Sequence, residues 1–275
     1  MIPWLTKNTP FPPVESALRS PNGLLAAGGD LSSSRLLDAY RHGAFPWFNP
    51  GEPILWWSPD PRMVLIPGEF KISRSLAKVL RNSSYEVRCD TVFEQVMRSC
   101  AAPRARHKSV GHHGTWIHED MIAAYCALHE MGYAHSVEIW MPKKPFQLQT
   151  EGEARRQCII ADKLEMKLAG GLYGVSIGRM FYGESMFSNV SNASKIALAH
   201  LAKQLERWQF GPSTRFGTGH FDTLRTGMID CQMNTPHLSS LGAREIPRSE
   251  FIVRLQELVH YAPVTDWQFD TDLFV

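Results

Sequence analysis

Three tracts of this 275-residue chain combine residue types and spacings that could do chemistry. The most compact is Ile229-Asp230-Cys231-Gln232. On a strand, residues i and i+2 point to the same face, so Asp230 and Gln232 would stand side by side, a carboxylate next to an amide. Such a pair can orient a nucleophilic amine; the plainer alternative is a polar pair at a strand end. The second tract is Gly170-Gly171-Leu172-Tyr173-Gly174-Val175-Ser176-Ile177-Gly178, followed by Phe181-Tyr182-Gly183-Glu184-Ser185-Met186-Phe187-Ser188. Glycine inside strands marks a bulge or a close approach of a ligand to the backbone. The spacing is not G-x-G-x-x-G, so it supports no dinucleotide fingerprint. Glu184 sits among aromatics and methionine, where a carboxylate is costly unless it meets a cation or a hydrogen-bond donor. A satisfied structural glutamate is the alternative there. The third tract is Ala44-Phe45-Pro46-Trp47-Phe48 with Leu55-Trp56-Trp57-Ser58-Pro59-Asp60-Pro61-Arg62. Its planar side chains could form a stacking surface for a base or an apolar side chain, or simply the core of a small domain.

The elements that must position these tracts fall into two groups. The first sixty residues are dense in Pro, Gly and aromatics, which predicts turns and short pieces. One helix is expected there, from about Ser33 to His42, capped by Asp30 and Ser32 and carrying Leu36, Leu37 and Tyr40 as an apolar stripe. A boundary near Arg62 separates this small N-terminal domain (residues 1–62) from the remainder (63–275). Beyond it helices and strands alternate. Helices are predicted from Ser73 to about Arg81, from Glu119 to Met131 with Met121, Tyr125 and Leu128 on one face, from a Ser191 or Asn192 cap to Trp208, and near Phe251 to His260. Ser136 to Trp140 and Met228 to Gln232 read as strands, and Gly171–Ile177 with Met180–Tyr182 as a hairpin turning at Gly178-Arg179. The pattern implies an α+β domain around a mixed, largely antiparallel sheet.

Composition narrows the class further. A hydrophobic share of 44% with 20% charged residues is that of a folded chain rather than a disordered one. The net charge of +2 is too small for a global field, so any nucleic-acid contact must come from a local basic patch. One is available: Arg74, Lys78 and Arg81 fall at i, i+4 and i+7 on one helical face, with Lys71 just before, and could track phosphates or serve as a solvated surface. The five cysteines are widely spaced without a C-x-x-C pair, which suits a reducing compartment. No apolar run approaches the roughly 20 residues needed to span a bilayer, and a cytoplasmic protein without a membrane partner is expected.

Taken together, Phe45-Pro46-Trp47-Phe48, Trp56-Trp57-Ser58-Pro59-Asp60-Pro61-Arg62, Gly114-Thr115-Trp116-Ile117, Gly171-Leu172-Tyr173-Gly174-Val175, Gly183-Glu184-Ser185-Met186-Phe187-Ser188, Asn192-Ala193-Ser194-Lys195 and Ile229-Asp230-Cys231-Gln232 resemble the leucyl/phenylalanyl-tRNA–protein transferases. The resemblance is spread from about residue 11 to residue 247. It implies a small N-terminal domain and a larger N-acetyltransferase-like domain. It also implies an enzyme that moves Leu, Phe or Met from aminoacyl-tRNA to proteins with N-terminal Arg or Lys, marking them for N-end-rule degradation without ATP, metal or other cofactor. Carried over motif by motif, Asp230 and Gln232 would be the catalytic pair, with Gln232 on the attacking amine and Asp230 orienting it. Glu184 would belong to the same centre, Trp47 and Trp116 would hold the terminal adenosine, and Leu172, Phe181, Met186 and Leu201 would line the aminoacyl pocket. Lys71, Arg74, Lys78 and Arg81 would face tRNA phosphates.

The chain departs from the compact family pattern by extra residues near 103–113, 142–167 and 211–226. The first carries Arg104, Arg106, His107, Lys108, His112 and His113; with His118 these histidines match no standard zinc spacing. An acetyl-CoA-dependent acetyltransferase would need a pyrophosphate loop of the R/Q-x-x-G-x-G/A kind, whereas Arg156 and Gln157 are followed by Cys158-Ile159-Ile160. A non-catalytic RNA-binding module would leave Glu184, Asp230 and Gln232 without a task.

Overall fold

The computed structural model describes residues 2–102, 116–143, 165–209 and 227–274. Two sheets organise them. The first has four short strands, β1 (Trp4–Leu5), β2 (Leu24–Gly28), β3 (Phe45–Pro46) and β4 (Leu55–Trp57), in the order β1-β2-β4-β3. Between β2 and β3 runs helix α1 (Ser33–Arg41). The Ser32 hydroxyl accepts the Arg35 N–H at its start, and Asp30 accepts the Ser32 N–H one step earlier. Leu36, Leu37 and Tyr40 are buried, as their spacing predicts.

The second sheet has seven strands: β5 (Arg62–Leu65), β6 (Glu86–Cys89), β7 (Ala134–Pro142), β8 (Met166–Ile177), β9 (Met180–Ser188), β10 (Met228–Gln232) and β11 (Arg244–Ile246). Their order is β11-β5-β10-β9-β8-β7-β6. Every pairing is antiparallel except β9 with β10, which run parallel. The expected α+β architecture with a largely antiparallel sheet is therefore present. The β8–β9 hairpin turns at Gly178, whose φ of +60° suits glycine.

Helices cover both faces. Tyr173, Val175 and Ile177 of β8 face one core, shared with α1, α3 (Phe93–Ala101), α4 (Glu119–Glu130) and the four-stranded sheet. Leu172 of the same strand faces a second core, built with α2 (Arg74–Asn82) and α5 (Ala193–Gln209). A short α6 (Pro236–Ser240) and α7 (Arg248–Leu258) complete the helices of the described residues. Period-two alternation along β8 thus sorts its side chains between two hydrophobic layers.

Two sequence expectations need correction. The strands are longer than the alternating pattern suggested, because β7, β8 and β9 are buried on both faces over most of their length and so lack a solvent-exposed face. The first turn of α5 is satisfied from outside the expected cap: Ser188 Oγ accepts the Ser194 N–H at 2.9 Å, while Asn192 takes a φ of +70°. Helix α3, with Phe93, Val96, Met97 and Cys100 buried, was not anticipated at all. The extra segments near 103–113 and 211–226 lie outside the described residues, as does 144–164 of the third. Met141 and Pro142 still pair with Lys167 and Met166 at the neck of that segment.

Candidate active site

Two β-bulges on neighbouring strands create the site. In the β8–β9 ladder, Tyr173 pairs with Ser185 and Gly174 with Gly183, so Glu184 is the extra, unpaired residue. In the β10–β5 ladder, Asp230 pairs with Val64 and Gln232 with Met63, so Cys231 is the extra one. The parallel β9–β10 ladder ends at Asp230 and Tyr182. A bulge re-aims the side chains that follow it. Here it turns Glu184 toward the α1 and α4 side, and it puts Phe181 and Met186 on one face although their separation in a regular strand would oppose them.

Beyond the end of the β9–β10 ladder a cavity of about 350 Å³ opens. Leu172, Phe181, Met186 and Leu201 all line it, with Leu198 and Ile229 adding apolar wall. Glu184 and Gln232 stand at the same cavity, and Thr235 and Leu238 come from the start of α6. The available signal for these last residues was the capping Thr235 followed by Pro236, a helix start too short to show any periodicity.

Glu184 is buried and surrounded by neutral donors. Its Oε1 accepts from the Tyr40 hydroxyl at 2.8 Å and from Gln232 Nε2 at 3.0 Å, and its Oε2 accepts from the Tyr125 hydroxyl at 3.1 Å. The two tyrosine hydroxyls also touch one another. Tyr40, Tyr125 and Glu184 therefore make three mutual contacts, yet the two hydroxyls hold only two protons. All three contacts become hydrogen bonds only in the form in which the carboxyl carries a proton and donates it to one of the hydroxyls; the ionised carboxylate leaves two protons for three contacts. Burial, the largest influence, pushes the Glu184 carboxyl up from its ordinary 4.5 to about 7, against the two tyrosine hydrogen bonds. The negative charge of Asp230 pushes the same way and Arg62 opposes it. Tyr40 and Tyr125 themselves are raised well above the usual tyrosine range by burial first and by Glu184 next, so both remain hydroxyl donors.

Asp230 and Gln232 do not share a face, contrary to the expectation from i, i+2 spacing. The bulge at Cys231 and a left-handed Gln232, with φ +62°, break the alternation. Gln232 reaches the cavity; Asp230 is fully buried away from it. Both Asp230 oxygens are gripped by Arg62, through Nε at 2.8 Å and Nη2 at 2.6 Å. Arg62 is itself fully buried between the rings of Phe45 and Phe251, and Nη1 donates to the Gly43 carbonyl at 3.2 Å. Asp230 Oδ1 also accepts the Gln232 backbone N–H at 2.9 Å, which holds the strained residue in place. The Cys231 thiol is pushed well up by burial and by Asp230, which removes it as a nucleophile at neutral pH.

Trp47 is a prominent exposed aromatic, 40% accessible, and its carbonyl accepts the Trp57 indole N–H at 2.7 Å. Trp116 is partly buried against the first core. Their neighbours Phe48 and His118 meet edge-to-face at 5.0 Å, so the two loops are in contact. Lys71, Arg74, Lys78 and Arg81 are all exposed; Arg74, Lys78 and Arg81 lie on the side of α2 opposite the buried Leu76 and Leu80, and Lys71 precedes the helix. None of the four forms an ion pair within the described residues. Within those residues no group of three or more His, Cys, Asp or Glu is arranged to hold a metal ion; His107, His112 and His113 lie outside them.

A largely apolar cavity whose wall includes the hydrogen-bonded pair Glu184 and Gln232 suits a ligand with an apolar side chain and a polar head. Comparison with known proteins is consistent with this. A family model described as leucyl/phenylalanyl-tRNA protein transferase matches residues 64–146, 159–213 and 216–256, and that of the family's N-terminal domain matches residues 29–60. A leucyl/phenylalanyl-tRNA–protein transferase of Nitrosospira multiformis is 56% identical over 271 residues, covering 98% of each chain. Proteins of the same name from Nitrosomonas europaea and Chromobacterium violaceum are 57% and 53% identical; the matches cover 94% and 98% of this chain, and 91% and 97% of theirs. The chain belongs to the leucyl/phenylalanyl-tRNA protein transferase family, and is an aminoacyltransferase. Among the described residues no helix is long and apolar enough to cross a membrane.

Proposed function

We propose that this chain moves Leu, Phe or Met from the 3′ end of aminoacyl-tRNA to the N-terminal Arg or Lys of acceptor proteins, in the cytoplasm, and so marks them for degradation. The observation that carries this reading is the single cavity that gathers Leu172, Phe181, Met186 and Leu201 with Glu184 and Gln232. An unbranched, γ-branched or aromatic side chain suits such a lining, where the flexible Met186 can adjust, while a β-branched one meets fixed walls near its backbone.

The aminoacyl ester is already activated, so the work is positioning an amine and stabilising charge. The acceptor's α-amine attacks the ester carbonyl; the new C–N bond forms, the C–O bond to the ribose breaks, and the proton released by nitrogen ends on the ribose oxygen. Gln232 donates through Nε2 to Glu184, which leaves its amide oxygen to accept from the attacking amine. Glu184 fixes that amide and binds a polar group of the substrate. Asp230, locked on Arg62, orients the amine through Gln232 rather than by touching it. Trp47 and Trp116 stack on the terminal adenosine, and Lys71, Arg74, Lys78 and Arg81 follow the tRNA phosphates. We take residues 1–62 as a domain that contributes Tyr40 and Trp47 to this site and 63–275 as the domain that holds the cavity.

The test supplies labelled Leu-tRNA, Val-tRNA or acetyl-CoA with a protein beginning with Arg, and with the same protein beginning with Asp. Label from Leu-tRNA on the Arg protein alone is the expected result. Label from acetyl-CoA, or equal transfer of Val, would overturn the assignment.

A further inference from the structure

We propose that the C-terminal segment after α7 acts as a positioning element for the aminoacyl cavity, with Trp267 fixing the ring of Phe181 and thereby setting how large a donor side chain is accepted. The inference rests on the proposed role of the cavity.

Phe181 lines the cavity on one side and is almost fully buried. Its ring lies over Gly174, where a Cβ would come within 2.6 Å of Phe181 Cε1, so only glycine leaves room for it. Gly174 is cross-strand from His135 of β7. Trp267 stacks flat on His135, with ring centroids 3.9 Å apart and planes 11° from parallel, and touches Phe181 with centroids at 5.9 Å. Phe181 is thus confined by the backbone of β8 below and by Trp267 at its side, away from the cavity. Trp267 is itself 7% exposed and does not line the cavity; of the rings it meets, Phe181 is the one in the cavity wall.

The segment is also tied to α5, which supplies its own residues to the cavity wall. Leu198 and Leu201 of α5 line the cavity. Within the next two turns, Gln204 accepts the Asp270 N–H at 2.8 Å and Arg207 donates to Asp270 at 2.8 Å, while Trp208 meets Trp267 edge-to-face at 5.3 Å. The tail therefore clamps α5 and Phe181 against each other across one hydrophobic core. It lies past residue 256, where the family-model match ends.

Removing the buttress gives Phe181 room to swing back and the cavity room to grow. The test measures kcat/KM for Phe-tRNA and Leu-tRNA in wild type, Trp267→Ala, Trp267→Phe, Phe181→Ala and Phe274→Ala. The last is a tail variant whose ring meets His200 rather than Phe181 or Trp267, and it controls for general loosening. Trp267→Ala should raise the Phe-to-Leu ratio at least about threefold, in the same direction as Phe181→Ala. Trp267→Phe should restore the wild-type ratio, because the Trp267 indole N–H has no partner among the described residues and only its ring is needed. Phe274→Ala should leave the ratio unchanged. A shifted ratio in Phe181→Ala but not in Trp267→Ala would overturn the buttress while keeping the cavity assignment. An unshifted ratio in Phe181→Ala would overturn both.

Discussion

Glu184 and Asp230 are both buried carboxylates, on neighbouring strands and each at a bulge, yet their surroundings differ in kind. Asp230 meets a guanidinium through two parallel N–H···O contacts, a geometry that arginine presents ready-made to carboxylates. Glu184 meets two hydroxyls and an amide, all neutral. A charged partner favours a brace that holds geometry. Neutral partners leave a carboxyl whose proton is finely balanced near neutral pH. Gln232 is joined to both, through its backbone to Asp230 and through its side chain to Glu184. The division teaches that burial alone does not assign a role to an acid; the charge of what it meets does.

The largest effect should come from breaking the brace. Asp230→Ala leaves Arg62 buried and unpaired, so a loss of about 3–5 kcal/mol in folding stability is expected from denaturant unfolding. Turnover of the protein that remains folded should fall well over tenfold, more than about 1.4 kcal/mol of transition-state stabilisation, with a modest change in tRNA affinity. Replacing both partners together, Arg62→Met with Asp230→Leu, should recover much of the stability and none of the turnover. Recovery of turnover as well would show that the Asp230 carboxylate serves folding alone and does not orient Gln232.

Next comes Glu184→Gln. The folded carboxyl is raised above its unfolded value, so the folded state holds its proton more tightly, and wild-type stability falls as pH rises from about 4.5 to about 7 and then levels. The variant lacks this term, which is bounded at about 3 kcal/mol. Unfolding free energies of the two proteins, compared across pH, should diverge over that window; parallel curves would place Glu184 with Asp230 as a plain structural acid.

Leu172→Trp probes the cavity without touching either acid. Phe transfer should drop about tenfold more than Leu transfer, since added bulk rejects the larger donor first. Equal losses would indicate general misfolding. The smallest effect belongs to the surface: Arg74→Ala with Arg81→Ala should weaken tRNA binding and flatten the slope of log affinity against log salt by roughly one to two units. The donor preference should stay fixed. An unaltered slope would make α2 a solvated face.

Sequence alone made the fold class and most helices legible, and family resemblance named four of the residues that line the cavity. Neither showed the partners that give the two acids different roles. Tyr40 and Tyr125 were legible as buried stripe positions on α1 and α4, but their hydroxyls meet Glu184 across 144 and 59 residues, a closure that periodicity does not encode. A buried tyrosine needs a partner for its hydroxyl, which was the available hint. Arg62 marked a boundary in the sequence and is also a buried tie between β10 and the Gly43 carbonyl after α1, which the sequence did not show. The i, i+2 logic failed at Asp230 and Gln232 because one extra residue in a ladder reverses every face after it.

The most direct test of the division between the two acids is a carbon NMR titration of the glutamate side-chain carboxyls, with Glu184→Gln supplying the assignment. The account expects one resonance, absent from the variant, to titrate near pH 7. A Glu184 carboxyl that titrates near its ordinary 4.5 would contradict it.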